Sequence, residues 1–140
     1  MTHKDLTFTL LAAAAKLTRR LDGSLSSIKG ISFSEFQLLS SLEAHPASAA
    51  TRVNLAQAVG LTPSGVTRAL KPLEKLGFVE TIKDGRDARR SLAKLTEAGL
   101  ELVSDATGVV NDTLESVTPI QRLSDDDLKQ LTDLLRELAN

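Results

Sequence analysis

A helix, a tight turn and a second helix are encoded between residues 51 and 73, and this pattern restricts the fold more than any other feature of the chain. Thr51 is a helix-capping residue, and Gly60 supplies the left-handed turn that ends the first helix. Thr62 caps the second helix, and Pro63 occupies its first position, where a missing N–H costs nothing. The pattern predicts two short helices joined by a turn of a few residues.

The apolar side chains of both helices recur at helical spacing, so we expect them to be buried. They are Val53, Leu55, Ala56 and Val59 in the first helix and Val66, Ala69, Leu70 and Leu73 in the second. Pro72 lies inside the second helix and deletes a backbone hydrogen bond, at a cost of ~3 kcal/mol or more in a regular helix. A kink or tightened turn is therefore expected near residues 68 to 72, beyond the first half of the helix.

A short β-ribbon is predicted after the second helix. Residues 78 to 83 alternate between apolar and polar side chains, Asp84 and Gly85 are turn residues, and residues 91 to 95 return as a second strand. This layout is that of a winged helix-turn-helix, in which one helix enters the DNA major groove and the hairpin reaches the flanking backbone or minor groove. The predicted fold class is therefore mainly α with a small β-wing.

Two helices are predicted before the helix-turn-helix. Apolar residues recur at steps of three and four from residue 6 to residue 28, the spacing of one face of a long helix, and Gly23 permits a bend within it. Ser34, followed three residues later by Gln37, resembles a capping box that opens the second of these helices.

Two further helices are predicted after the ribbon. Thr96 is expected to begin a helix that Pro119 breaks, and Ser124 with the three aspartates that follow it opens a last helix. The apolar faces of the terminal helices are larger than a small helix-turn-helix and wing need to cover their own core. We therefore predict a homodimer, in which two reading helices lie about one DNA turn, ~34 Å, apart. Packing of these helices within a monomer is the alternative.

The length of 140 residues suits a single domain. We expect a winged helix-turn-helix lobe over residues 30–96 and dimerisation helices over residues 1–29 and 97–140. The sequence has neither a signal-peptide pattern nor an apolar run of membrane-spanning length, which predicts a cytoplasmic protein with no membrane partner. The absence of cysteine excludes disulfides, thiol nucleophiles and thiol-based redox sensing.

Charge is distributed unevenly along the chain, although the net charge is only −1. Residues 62 to 94 carry eight basic and four acidic side chains, a net charge of +4. Residues 97 to 140 carry three basic and ten acidic side chains, a net charge of −7. Because the basic excess coincides with the helix-turn-helix, this part of the chain is expected to meet a polyanion such as double-stranded DNA.

Enzymatic activity has little support in the sequence. One histidine lies near the start of the chain and the other beside a proline, and neither metal-ligand spacing nor a glycine-rich phosphate loop is present. We therefore expect no catalytic residues, no metal and no cofactor. The main alternative function is a winged-helix module that binds protein rather than DNA, which the basic reading face disfavours.

The order of features from Thr51 to Gly99 resembles the MarR family of bacterial transcription regulators. The residues that carry the resemblance are Leu55-Ala56-x-x-x-Gly60-Leu61-Thr62-Pro63-Ser64-x-Val66-Thr67-Arg68, Leu73-Glu74-x-x-Gly77-Phe78-Val79, Asp84-x-x-Asp87-x-Arg89 and Leu95-Thr96-x-x-Gly99. The resemblance implies an obligate homodimer on a pseudo-palindromic operator, usually a repressor and often released by a small-molecule effector. The alternative is a regulator that binds DNA independently of any ligand.

Four residues mark the ligand pocket that the resemblance implies, and they fit a plain core equally well. They are Leu17, Arg20, Phe33 and Phe36. The wing of the family commonly reads Asp-Arg-Arg, whereas this chain has Ala88 between Asp87 and Arg89, so one positive charge is missing. Arg86 and Arg90 are placed to compensate for it.

Arg68 is our candidate for reading a base, because its guanidinium can bond both acceptors on the edge of a guanine. A phosphate contact is the alternative role for this arginine. Asp87 is expected to hold Arg89 by a charge-assisted bond. The other predicted DNA-binding residues are Arg52 and Asn54 before the turn, Thr62 (or a cap alone), Ser64, Gly65, Thr67 and Lys71 on the reading helix, and Arg86, Arg89 and Arg90 in the wing.

Overall fold

The computed structural model describes residues 1–87 and 89–140, in which helices surround a small sheet. The helices are α1 (His3–Lys29), α2 (Phe33–Ala44), α3 (Arg52–Val59), α4 (Pro63–Lys75), α5 (Glu97–Glu115), α6 (Thr118–Gln121) and α7 (Asp125–Ala139). The strands are β1 (Ala49–Ala50), β2 (Val79–Lys83) and β3 (Ser91–Leu95). This architecture confirms the predicted fold class, mainly α with a small β-wing.

Side-chain caps begin the helices that flank the turn and the wing. The hydroxyls of Thr51, Thr62 and Thr96 each accept a hydrogen bond from the backbone amide three residues later, at 3.1 Å. Ser124 and Asp127 form a capping box at the start of α7. These bonds satisfy amides that have no partner inside the helix, and they confirm the helix starts predicted at these four positions.

The start of α2 differs from the prediction by two residues. The capping box consists of Ser32 and Glu35, whose carboxylate accepts from the Ser32 amide at 2.9 Å, rather than of Ser34 and Gln37. Both pairs have the same spacing, but only a residue with extended backbone angles can cap, and Ser32 has them (φ −80°, ψ 162°).

Two further expectations about the helices are corrected. Gly23 produces no interruption in α1, because the helix is continuous from residue 3 to residue 29. The helix α4 includes Pro72 and ends at Lys75. The long helix α5 ends at Glu115, and Pro119 lies in the first turn of α6, where proline is tolerated, instead of breaking α5.

The three strands form an antiparallel sheet in the order β1-β3-β2. In the wing, Val79 pairs with Leu95 and Lys83 with Ser91. The two-residue strand β1 adds to the other edge of β3 and was not predicted, because Ala49 and Ala50 carry no strand signal of their own.

One core joins the C-terminal half of α1 to α2, α3, α4, the sheet and the start of α5. Its largest fully buried side chains are Leu25, Leu38, Leu39, Leu42, Leu55, Val66, Leu70, Leu73 and Val103. Val53 was predicted to be buried but is 52% exposed, because α3 turns Leu55 and Ala56 inward instead. Within the described ranges, none of the helices has the length and apolar character needed to cross a membrane.

Candidate nucleic-acid interface

The helix α4 has one buried face and one exposed polar face. Val66, Leu70 and Leu73 are fully buried. Ser64, Arg68 and Lys71, also separated by steps of four and three, are exposed on the opposite side of the helix. The core thus fixes the orientation of α4 and directs a hydroxyl and two cationic side chains outward.

The hydroxyl groups at the N-terminus of α4 form hydrogen bonds with nearby groups of the same segment. The Thr67 hydroxyl donates to the Pro63 carbonyl at 3.1 Å, and the hydroxyls of Thr62 and Ser64 are 3.3 Å apart. A Cβ built at Gly65 would lie 3.1 Å from the Thr62 hydroxyl oxygen, so the glycine keeps the capping bond uncrowded. Thr62 is therefore a helix cap, whereas Ser64 is exposed beside Arg68.

Two aspartates organise the tip of the wing. The Asp84 carboxylate accepts from the Arg86 amide and the Asp87 carboxylate from the Arg89 amide, both at 3.0 Å. Asp87 was expected to hold the charged group of Arg89, but the bond is to the main chain of that residue. The side chains of Arg86, Arg89 and Arg90 are exposed at this tip. Ala88, the departure from the family wing, lies outside the described residues.

Arg52 was assigned to DNA contact, but its guanidinium is bonded within the protein. Its Nη2 atom donates to the Glu74 carboxylate at 3.2 Å and to the Thr81 hydroxyl at 3.1 Å. Its Nη1 atom donates to the Ser91 hydroxyl at 3.4 Å. Asn54, on the same helix, has an exposed side chain, and its backbone amide donates to the Thr51 cap.

The base of the wing is hydrogen-bonded to the start of α5. These contacts were not predicted from the sequence. The Thr96 hydroxyl donates to the Gly77 carbonyl at 2.6 Å, and the Thr96 amide donates to the Phe78 carbonyl at 3.1 Å. Gly99 packs directly on this junction, because a Cβ built there would meet the Phe78 carbonyl oxygen at 2.1 Å. The wing and α5 therefore share one close-packed joint.

The four residues of the expected ligand pocket are not gathered around one groove. Leu17 lines an apolar groove between α1 and α7 as well as a shallower depression between α1 and the start of α6, and Arg20 lines only the latter. The Arg20 guanidinium also donates to the Ser116 hydroxyl at 2.9 Å. Phe33 and Phe36 pack against the main core. Among the described residues, we also find no cluster of three or more metal-ligating side chains.

A sequence model described as the MarR family matches residues 29–90, which contain both helices of the turn and most of the wing. Two solved DNA complexes are similar to the whole chain. Sco3205, a MarR family transcriptional regulator from Streptomyces coelicolor, has a TM-score of 0.87 and 26% identity, and the match covers 99% of this chain and 88% of that one. A mutant MarR from E. coli, complexed with operator DNA, has a TM-score of 0.81 and 27% identity, covering 96% and 93%.

CouR from Rhodococcus jostii RHA1, bound to p-coumaroyl-CoA, shares the fold with a TM-score of 0.86 and 24% identity, covering 96% of this chain and 92% of that one. The matched segment contains the helix-turn-helix and most of the wing, and the structural likeness extends over the flanking helices. This chain is therefore similar to MarR family winged helix-turn-helix regulators, in sequence over residues 29–90 and in fold over nearly its whole length.

Proposed function

We propose that two copies of this chain bind a pseudo-palindromic operator in double-stranded DNA and repress transcription from it. The observation that carries the proposal is the exposed face of Ser64, Arg68 and Lys71 on a helix whose other face is fixed in the core. Such a face fits the major groove, where side chains meet base edges. The DNA complexes of Sco3205 and MarR support this assignment.

In this proposal, residues 30–96 form the DNA-binding lobe, and residues 1–29 and 97–140 form the dimerisation helices. Arg68 reads a base, while Ser64, Gly65, Thr67 and Lys71 approach the bases or the backbone around it. The exposed wing arginines lie against the flanking minor groove or phosphates. The hydrogen bonds that the Asp84 and Asp87 carboxylates accept from the Arg86 and Arg89 amides support this role, because they fix the backbone from which these arginines project.

Arg68→Ala is expected to weaken operator binding and to relax the preference for one base pair in each half-site, because a bidentate contact to guanine is worth ~1–3 kcal/mol of discrimination. Competition binding at fixed salt, against operators altered one base pair at a time, measures both effects. Unchanged affinity and unchanged base preference would contradict a base-reading role for Arg68.

Arg89→Ala is expected to weaken binding to operator and to unrelated DNA alike, because a wing contact to the backbone carries no base identity. The slope of log affinity against log salt should fall by about one for each lost phosphate contact. Titrations at several salt concentrations measure it. An unchanged salt slope would exclude Arg89 from the backbone contact.

We also propose that a small ligand releases the protein from DNA. CouR supports it only by its shared fold and its bound p-coumaroyl-CoA. We infer that an effector would act on the depression that Leu17 and Arg20 line, where α1 meets the start of α6. Titration of aromatic carboxylic acids and their thioesters against the preformed protein–DNA complex tests this part separately from DNA binding.

A further inference from the structure

Arg52, Glu74 and Thr81 form a closed triangle of hydrogen bonds, called here the wing brace. The Arg52 guanidinium donates to the Glu74 carboxylate oxygen Oε1 at 3.2 Å and to the Thr81 hydroxyl at 3.1 Å. The Thr81 hydroxyl donates to the same Oε1 atom at 2.8 Å. Each member therefore contacts both of the others, so none of the three can move without breaking two bonds.

The wing brace joins three elements of the proposed DNA-binding lobe. Arg52 begins α3, Glu74 lies in the last turn of α4, and Thr81 is in the middle of β2. The chain itself passes from α4 to β2 through a short turn in which Gly77 has φ +83°. The brace spans this turn from the side and adds a second connection between the reading helix and the wing.

The ion pair within the brace is partly buried, although Thr81 is exposed. The Arg52 and Glu74 side chains are 20% and 32% exposed, whereas the ion pair of Lys129 with Asp133 on α7 is 78% and 50% exposed. A partly buried, hydrogen-bonded pair is screened less than a pair in open solvent. The brace is therefore suited to holding a fixed geometry while phosphates and counterions exchange nearby.

We propose that the wing brace sets the position of the wing relative to the reading helix, and so determines how firmly the wing contacts the DNA flanking each half-site. Arg52, Glu74 and Thr81 are positioning residues in this scheme, and they act through the exposed arginines at the wing tip. The inference rests on the proposed DNA binding, which it extends to the operator flanks.

A purely electrostatic role predicts a different result. If Arg52 only neutralised an acid near the DNA, Glu74→Gln would leave an extra positive charge and tighten binding. If the brace positions the wing, Glu74→Gln removes the negative charge that strengthens both bonds to Oε1, and the flanking contacts weaken despite the favourable change in net charge. Thr81→Val removes a hydroxyl at nearly constant shape and does not change the charge at all.

The experiment uses the full chain and an operator duplex that the wild-type protein selects from a random-sequence library. Hydroxyl-radical footprinting separates the centre of each half-site from its flanks, and titrations give affinity and salt slope. Glu74→Gln and Thr81→Val are expected to keep the central protection, to lose at least about half of the flanking protection, and to bind about threefold to tenfold more weakly. Their salt slopes should also be flatter.

Glu80→Gln is the matched control, because it removes the same charge from the neighbouring position of β2, which pairs with Lys94 and not with the brace. It should retain the flanking protection. The exchanged pair Arg52→Glu with Glu74→Arg should recover flanking protection that Arg52→Glu alone loses. Thermal unfolding of every variant checks that the fold is intact.

Full flanking protection in both Glu74→Gln and Thr81→Val would overturn the proposal, as would equal loss at the centre and the flanks. Tighter binding by Glu74→Gln would favour the purely electrostatic role. If the wild-type protein selects no duplex from the library, the proposed function itself fails, and the inference fails with it.

Discussion

Replacing Leu134 and Leu138 by glutamate is expected to leave the protein folded, to make it monomeric and to weaken operator binding at least about 100-fold. Both leucines lie on α7 and are 60% and 64% exposed in the single chain. Side chains of this size gain ~1.5–3 kcal/mol each when fully buried. The simplest way to bury these leucines is to pack them against the same face of a second copy, because a two-fold dimer buries the same patch of both subunits.

The surroundings of these leucines support this expectation. With α1, the helix α7 borders an apolar groove of about 900 Å³. Its lining is apolar apart from Thr9 and Glu137, and includes Leu6, Leu10, Leu17, Leu131, Leu134, Leu135 and Leu138. The buried core lies elsewhere, among α1 to α5 and the sheet, and contains no residue of α7, so glutamate on α7 does not enter it. Two charges in a dimer interface, by contrast, would lose water without gaining partners.

In the proposed complex, DNA binding depends on the dimer because one linked molecule binds both half-sites. Linking two binding units raises the overall affinity by about 10²–10⁴ over one unit, without any new contact. Sedimentation measures the oligomeric state, and titration of an operator duplex measures the affinity. A variant that stays dimeric, or one that is monomeric and still binds with wild-type affinity, would contradict the proposal.

Gln130→Glu is the control for added charge. Gln130 lies on the polar side of α7, where its amide donates to Asp126 at 3.2 Å. This variant should remain dimeric, and its affinity for the operator should change by no more than a few fold. Loss of the dimer in this variant would mean that charge on any part of α7 is harmful.

Local chemistry explains why much of the fold could be predicted from the sequence. A capping threonine needs only the amide three residues ahead, so Thr51, Thr62 and Thr96 were assigned correctly without knowledge of the rest of the chain. The strand Ser91–Leu95 was predicted at its observed bounds because turn residues precede it and a capping residue follows it. Where two caps of equal spacing competed, as at Ser32 and Ser34, sequence alone did not distinguish them.

The parts that were not predicted depend on residues far apart in sequence. The sequence alone suggests that Arg52 binds a phosphate. In the folded chain, α4 and β2 place Glu74 and Thr81, which are 22 and 29 residues away in sequence, within hydrogen-bonding distance of it. The eight-residue helix α3 is too short for its period to define one face, which is why Val53 was placed inside. The pairing of β1 with β3 likewise arises only from the folded arrangement.

Gly99→Ala is expected to lower the free energy of unfolding by about 1–3 kcal/mol or more, because it inserts a methyl group into a joint that has no room for it. The new Cβ would meet the Phe78 carbonyl oxygen at 2.1 Å and the Leu95 side chain at 3.1 Å. The first neighbour is backbone, and its oxygen already accepts from the Thr96 amide at 3.1 Å. Relief therefore requires α5 and the base of the wing to separate.

Gly108→Ala is the matched control, since Gly108 lies in the same helix and a Cβ there would have no neighbour within 4 Å. Alanine has the higher helix propensity, so this variant should be more stable by about 0.5–1 kcal/mol. Urea unfolding of both variants at one protomer concentration gives the comparison, because an oligomer's stability depends on concentration. If Gly99→Ala also gained stability, the joint between α5 and the wing would have to be looser than these distances indicate, and α5 could not fix the wing in the way that its contacts imply.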